Sequence, residues 1–408
     1  MISKKKAVVG AIVITLITSL LTFAVSNTIQ IHYKHKVVLP KSEFEEYARA
    51  YQKYSKVMAL ENFVKQNYLN DVKDETLYEG ELKGLFESLE DPYSVYMTKD
   101  EFSDFMEHTK GTYDGIGVIV TPGEDNLITV VSPIEDTPGE KAGIKTGDKI
   151  VKVNGKEFTA DKMDDAIKTM KGKAGTDVLL TIMRKDNQGN SEFLDKKITR
   201  QEIRLVSVKS QMLEDKIGYI RIVSFDDLTD KDFKTHLKAL QKDGMKGLII
   251  DLRNNPGGLL DVCANVADEL MGEGTIVYTE TKNKEREYLT SDKKKLGLPL
   301  TILVNEGSAS ASEILSGAIQ DTKTGVLIGT KTFGKGIVQR IKELPDGSGF
   351  KLTVSEYFTP NGKNIHGKGI EPDIIVEIPE GVEQIGVENI KQDTQLQKAL
   401  EIIKSKIK

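Results

Sequence analysis

The sequence predicts a multidomain α/β protein, and three observations carry that reading. Its 408 residues exceed one ordinary domain. Short β-rich runs fill residues 113–200, and from about residue 218 strand and helix patterns alternate. An uncharged stretch near the N-terminus stands apart from both. With 38% hydrophobic and 29% charged residues and 11 prolines, the composition is that of a globular chain, which excludes disordered, collagen-like and multi-span membrane classes. The net charge of −5, from 57 basic and 62 acidic residues, provides no basic field to draw the chain onto nucleic acid. The single cysteine, Cys263, allows neither an internal disulfide nor a thiolate zinc site, and its apolar run predicts a buried small hydrophobe.

In chain order, Lys4, Lys5 and Lys6 precede the uncharged residues 7–25, which as a helix would rise about 28 Å, close to a bilayer's hydrocarbon thickness. The lysines are expected to stay in the cytoplasm, which puts everything after Val25 outside it. The length favours an uncleaved single-pass anchor; cleavage after Ala24-Val25-Ser26 would instead give a secreted protein. Removing residues 1–25 takes away three lysines and no acids, so the exported part goes from −5 to −8. Residues 43–105 repeat apolar positions at helical spacing (Tyr47, Tyr51, Tyr54, Met58, Phe63) and end in the turn Leu89-Glu90-Asp91-Pro92-Tyr93-Ser94. This predicts a helical lead-in whose stripe packs under the next domain or against a second copy. Residues 395–407 form a short lysine-rich amphipathic helix. The expected division is a membrane segment at 1–30, a helical region at 37–105, a β-rich domain at 106–203, an α/β core at 204–380 and a helical tail at 381–408.

In the β-rich region, Tyr113-Asp114-Gly115-Ile116-Gly117-Val118 leads into a strand, and the run from Ala142 to Ile150 carries Gly143 and Gly147. These glycines can simply serve tight turns. Two such motifs in this order resemble a PDZ domain, in which exposed amides of the first glycine loop receive a peptide's terminal carboxylate and the adjacent strand edge pairs with the peptide.

In the α/β region, the strand Leu248 to Leu252 runs into Arg253-Asn254-Asn255-Pro256-Gly257-Gly258 and then an apolar helix. Amides at a strand-to-helix turn make an anion site or an oxyanion hole, or the segment is only a Gly-rich connection. No Gly-Lys-Ser/Thr follows, so a phosphate loop is disfavoured. After the strand Leu300 to Val304 comes Gly307-Ser308-Ala309-Ser310-Ala311-Ser312-Glu313. Taken alone, Ser310 with Glu313 fits a capping box. A second cluster, Thr332-Phe333-Gly334-Lys335-Gly336-Ile337-Val338-Gln339, puts a lysine into an apolar stretch. A desolvated lysine loses its proton more readily and can deprotonate a serine, although Lys335 could also snorkel to the surface. Gln339, four residues on, falls on the same face and could orient the amine. Among the five histidines, His32, His35 and His108 lie away from these motifs in sequence, and His236 sits in a polar helix. His366 is the one alternative base. No histidine pair has metal-ligand spacing, which disfavours a metal site.

Together the motifs resemble the carboxyl-terminal processing, or tail-specific, serine peptidases of bacterial envelopes and plastids, over almost all of the exported chain. The resemblance implies a crotonase-like α/β peptidase core that works with no metal or organic cofactor. It assigns the nucleophile to Ser310, the general base to Lys335, the orienting amide to Gln339, and the oxyanion donors to Ala311 and one of Gly257 and Gly258. It also implies a PDZ domain, with Tyr113, Gly115, Ile116, Gly117 and Val118 at its peptide site, that captures the free apolar C-terminus of a protein substrate and gates cleavage. A homodimer formed through the helical residues 43–105 and 395–407 follows from the same resemblance. Two rivals stand beside it: a non-catalytic PDZ adaptor on a peptidase-like scaffold, and an enoyl-CoA hydratase type enzyme, which needs neither Ser310 nor a PDZ domain.

Overall fold

The computed structural model describes residues 3–28, 32–33, 36–37, 39–185, 190–382 and 384–407; His35 lies outside them. The chain forms two compact units, residues 1–84 and 85–408.

The first unit begins with α1, Lys4–Thr28. Its Lys4–Phe23 portion is long and apolar enough to cross a membrane, and its described side chains are almost all exposed. The two-residue strands β1, His32–Tyr33, and β2, Lys36–Val37, pair antiparallel. Helix α2, Lys41–Asn67, follows and buries none of its residues. Phe44, Tyr47, Tyr51 and Phe63 are each more than 60% exposed. Lys65 joins the end of α2 to the start of α3, Asp74–Glu87, by ion pairs to Glu61 and Asp74.

The second unit departs from a purely helical lead-in. Strand β3, Val95–Met97, comes next, followed by α4, Lys99–Lys110. Thr98 and Glu101 make a reciprocal capping box at the start of α4, and Gly111 in the left-handed region ends it.

The β-rich domain then follows. Strand β4, Thr112–Gly115, pairs with β11, Gln201–Arg204, closing the module where it enters and leaves. Between them lie β5 (Val118–Pro122), β6 (Ile128–Pro133), β7 (Lys149–Val153), β8 (Lys156–Glu157), β9 (Asp177–Lys185) and β10 (Ser191–Thr199). They form an antiparallel sheet ordered β10-β9-β7-β6-β5, with β8 on β7, so β5 is an edge strand. Along β9, Val178, Leu180 and Ile182 point into the core and their neighbours out, the period-2 pattern of a half-buried strand. The helices are α5, Pro138–Lys141, and α6, Met163–Met170. Arg200 donates to the carbonyls of Thr169 and Met170 and so satisfies the open end of α6.

The third region is a six-stranded sheet ordered β12-β13-β14-β17-β18-β21: Val208–Met212, Ile217–Ile222, Gly247–Asp251, Leu300–Val304, Val326–Gly329 and Ile374–Ile375. All pairings after the first are parallel. Every residue of β14 and β17 is buried, as expected for strands covered on both faces. Helices α7 (Thr229–Lys242), α8 (Leu260–Asp268) and α9 (Ala311–Asp321) share one core with Ile220, Leu248 and Ile302. The alternate residues Tyr219, Ile249 and Leu303 face α10, Thr394–Lys406. The α10 stripe was expected to be open to a second copy. Its Leu396, Ala399 and Ile403 are instead fully buried on the chain's own sheet. Burying Leu396 and Ile403 is worth about 1.5–3 kcal/mol each, so the helix belongs to the core.

A second sheet, which the strand-helix alternation did not foretell, is antiparallel and ordered β16-β15-β20-β19: Arg286–Ser291, Gly274–Thr281, Gly349–Phe358 and Ile337–Glu343. Strand β3 joins it by pairing with β20.

Candidate active site

The register of the parallel sheet brings the two serine-peptidase-like motifs together. Asp251, the last residue of β14, pairs with Leu303 of β17, so the loops after both strands leave from the same edge. Parallel α/β sheets form sites at these carboxyl ends. Asn254 N donates to Asn305 Oδ1 and Asn305 Nδ2 to Asn254 Oδ1, each at 2.8 Å, and Ala309 N donates to the Asn255 carbonyl at 3.0 Å.

A buried ion cluster anchors the first loop. All five N–H groups of Arg253 are used, on Asp251, Asp393 and Gln395, and Tyr219 donates its hydroxyl to Asp251 at 2.7 Å. Arg253 and both aspartates are solvent-free, so removing one partner costs about 3–5 kcal/mol. Further along, Gly257 N donates to Asn255 Oδ1 at 2.8 Å, whereas Gly258 N has no partner among the described residues. A Cβ on Gly257 would lie 2.8 Å from Ser310 Cβ and 2.9 Å from Ala311 N. Any side chain there would plug the site.

Ser310 precedes α9 with φ 55° and ψ −113°, a left-handed conformation that is strained for a serine. The capping-box arrangement with Glu313 is present. Its glutamate half is bonded, with Ser310 N donating to Glu313 Oε2 (2.9 Å), whereas Glu313 N donates to the Ser310 carbonyl and the Ser310 hydroxyl makes no cap hydrogen bond. The flanking serines differ. Ser308 and Ser312 are fully buried, and their hydroxyls donate to the carbonyls of Leu252 (2.8 Å) and Asn255 (3.0 Å). Of the three, only Ser310 lines the cavity described below. The Ala311 amide, at the first position of the helix, has no partner among the described residues.

Lys335 arrives on the loop between β18 and β19. Glu313, solvent-free inside α9, accepts from Thr332 Oγ1 (2.6 Å), Gly334 N (2.7 Å) and Lys335 N (2.8 Å) as well as from Ser310 N. Tyr357 donates its hydroxyl to the Lys335 carbonyl at 2.6 Å, with the Ser310 carbonyl 3.1 Å away. The glycines beside Lys335 are there for space: a Cβ on Gly334 would meet Gly369 N at 2.8 Å, and one on Gly336 would meet His366 N at 2.6 Å. The Lys335 side chain is half-buried, with its amine 4.6 Å from the centre of the Tyr93 ring. Burial pulls its pKa below the usual lysine range. Lys351 pushes the same way, against the opposing pull of Asp91 and Glu313. Gln339 lies on β19 and donates to Thr353 Oγ1 at 3.2 Å, not to the lysine.

Ser310, Lys335, Gln339, Gly257 and Gly258 all line one cavity of about 640 Å³, whose apolar wall includes Phe225, Leu259, Leu260 and Ile314. His108 also lines it, although its sequence position had set it apart from catalysis, because α4 packs against β3 and β20. His366 does not: it is exposed, and its Nδ1 accepts from Gly336 N. His236 pairs with Ser210, and Cys263 is fully buried behind α9. No cluster of three metal-ligating side chains occurs among the described residues. Sequence reasoning missed Asn255, Tyr93 and Tyr357, and read Glu313 only as a cap. No local pattern records their long-range contacts: Asn255 with the Ile222 carbonyl, Glu313 with the Lys335 loop, and Tyr93 and Tyr357 with Lys335.

At the β-rich domain's glycine loop, Gly117 is left-handed, and a Cβ there would lie 2.3 Å from that of Thr137. The amides of Ile116 and Gly117 have no partner among the described residues, and they lie beside the open edge of β5.

Comparison with known proteins places this architecture. The model described as Peptidase family S41 matches residues 216–376, that of the PDZ domain residues 129–184, and that of the activating protease CtpB N-terminal domain residues 15–101. The carboxy-terminal processing protease CtpA of Bacillus subtilis (strain 168) is 37% identical, over 90% of this chain and 76% of that protein. A carboxy-terminal-processing protease of Bartonella bacilliformis is 42% identical, over 78% of this chain and 73% of that protein. Among solved structures, a photosystem II D1 C-terminal processing protease is 27% identical, covering 85% of this chain and 96% of its own, with a TM-score of 0.46. The chain is a serine-type peptidase with a PDZ domain and belongs to the carboxy-terminal processing proteases of family S41.

Proposed function

We propose that the protein is an endopeptidase in which Ser310 attacks the scissile carbonyl, Lys335 takes the serine proton and Gln339 orients the amine. The observation that carries this is the placement of Ser310 on the cavity wall with Lys335, while its neighbours Ser308 and Ser312 are buried and committed to the main chain. The tetrahedral oxygen would be received by the unpaired amides of Gly258 and Ala311; the Gly257 amide is already held by Asn255. Lys335 passes that proton to the leaving amine as the peptide bond breaks and the acyl-enzyme on Ser310 forms; it then takes a proton from the attacking water and returns it to the Ser310 oxygen as the ester is hydrolysed. The apolar cavity wall suits an apolar side chain beside the cleaved bond.

The module at 106–203 delivers the substrate. The free amides of Ile116 and Gly117 would take the terminal carboxylate, and the edge of β5 would take the extended peptide. We take 204–380 as the core, with 381–408 fastened to it by Asp393 and α10. Helix α1 anchors the protein, with Lys4 to Lys6 on the cytoplasmic side and the catalytic mass in the cell envelope. The exposed aromatic stripe of α2 supports a homodimer. Analytical ultracentrifugation of the protein in detergent tests that pairing, and a single monomeric species at all concentrations removes it.

The test of the main reading is cleavage of a flexible polypeptide ending in free apolar residues by the full chain in detergent, with Ser310→Ala beside it. Cleavage by the wild type alone supports the serine mechanism. Binding without cleavage by both would leave a PDZ adaptor.

A further inference from the structure

Among the described residues the amine of Lys335 makes no hydrogen bond or ion pair, with Ser310 and Gln339 included, and it sits over the Tyr93 ring, 4.6 Å from the nitrogen to the ring centre. Tyr93 is fixed by the loop that carries it. Its amide donates to Asp91 Oδ1 at 3.0 Å, and Ser94 Oγ donates to Asp91 Oδ2 at 2.5 Å. Thr353 N donates to Ser94 Oγ at 2.9 Å, and Thr353 Oγ1 accepts from Gln339 Nε2 at 3.2 Å. A continuous chain of contacts therefore runs from the candidate orienting amide, through Thr353, Ser94 and Asp91, to the ring under the candidate base.

We propose that Tyr93 is a positioning residue whose ring seats the protonated Lys335 amine, apart from Ser310, until the lysine is released to act as base. The proposal rests on the reading of Lys335 as that base. An aromatic face attracts an ammonium and does nothing comparable for a neutral amine, so the seat favours the charged, idle form. Burial acts the other way and favours the neutral form. The other groups facing the lysine or its loop are Asp91 on the same turn, Glu313 on α9, Lys351 and Tyr357 on β20, His366 under Gly336, and His108 across the cavity. All of these stay in place when only the ring is altered.

The test is the pH dependence of kcat for the full chain in detergent, on a peptide with a free apolar C-terminus. It compares wild type, Tyr93→Phe, Tyr93→Leu and a series with phenylalanine carrying one, two or three ring fluorines at position 93. Fluorine withdraws electron density from the ring face at nearly constant shape, so the fold is kept. The midpoint of the rising limb should move to lower pH in steps with fluorination and fall furthest in Tyr93→Leu, by about 0.4 to 1.5 units. Tyr93→Phe should track the wild type, and KM should stay put because Tyr93 does not line the cavity. A midpoint that does not move along the series, or a fall in kcat at every pH without a midpoint shift, overturns the proposal. Lys335→Ala separates the two readings. Full activity in that variant would remove the base assignment, whereas an inactive variant beside a flat fluorine series removes the role of Tyr93 alone.

Discussion

Glu313 accepts hydrogen bonds from the amides of both Ser310 and Lys335 through the same carboxylate oxygen, at 2.9 and 2.8 Å. A single solvent-free side chain thus fixes the main chain of the candidate nucleophile relative to that of the candidate base. The residue that looked like a helix cap is the bracket between two loops, and its second oxygen secures Thr332 and Gly334 as well. Glu313→Gln puts an amide donor where donors already converge. It should lower kcat about 10²-fold and cost about 2–4 kcal/mol in denaturant unfolding. Wild-type kcat in the folded variant would refute the bracket.

The three serines should separate by effect. Ser310→Ala removes a hydroxyl that makes no cap bond, so kcat should fall at least about 10³-fold while stability stays within about 0.5 kcal/mol. Ser308→Ala strands the Asn305 amide and should lose about 1–3 kcal/mol, and Ser312→Ala, whose carbonyl partner keeps the Ala309 amide, about 0.5–1.5 kcal/mol. Peptide cleavage and thermal melts on the three variants check this. An inactive Ser308→Ala or Ser312→Ala beside an active Ser310→Ala would move the nucleophile.

Activity should rise with pH and level off as Lys335 loses its proton. Burial first, and Lys351 second, lower its pKa, so the midpoint should lie below that of a free lysine. Lys351→Met removes a repelling charge, so Lys335 holds its proton longer and the limb should move to higher pH. Lys335→Arg cannot deprotonate and should be inactive throughout. A pH profile lost in His366→Ala but kept in Lys335→Ala would transfer the role to the histidine.

Asn255 connects the anion loop to its surroundings. Its side chain accepts from Gly257 N and donates to the Ile222 carbonyl at 2.9 Å. Asn255→Ala frees that turn, so the Gly258 amide loses its fixed aim. We expect kcat to fall about 10- to 100-fold with a smaller change in KM, measured by initial rates. An unchanged kcat would show that the turn does not depend on this side chain.

Carboxylate capture at Ile116 and Gly117 predicts that amidating the peptide's C-terminus weakens binding to Ser310→Ala at least about 10-fold, read by calorimetry. Equal affinities for the acid and the amide would remove the carboxylate site.

The sequence by itself determined the order of modules, the apolar N-terminal helix, the strand Leu300–Val304, the strand read as Leu248 to Leu252 and found one residue earlier at Gly247–Asp251, and the glycine and serine motifs that line the cavity. Each depends on neighbours in the chain: hydrophobic period, turn residues, a strand running into a helix. Tertiary structure decided what depends on distant partners. Ser308 and Ser312 are indistinguishable from Ser310 in the run Ser308-Ala309-Ser310-Ala311-Ser312, and only the carbonyls of Leu252 and Asn255 commit them. Either Gly257 or Gly258 could have offered its amide until the Asn255 side chain was seen to hold the first. The stripe of α10 could have faced a second copy, but the sheet of its own chain covers it. Tyr93 lay in a turn far from Lys335 in sequence, and the pairing of β3 with β20 carries its loop to the lysine. Local pattern fixes what a segment is; the register of the sheets, set by burial on both faces, fixes which side chains meet.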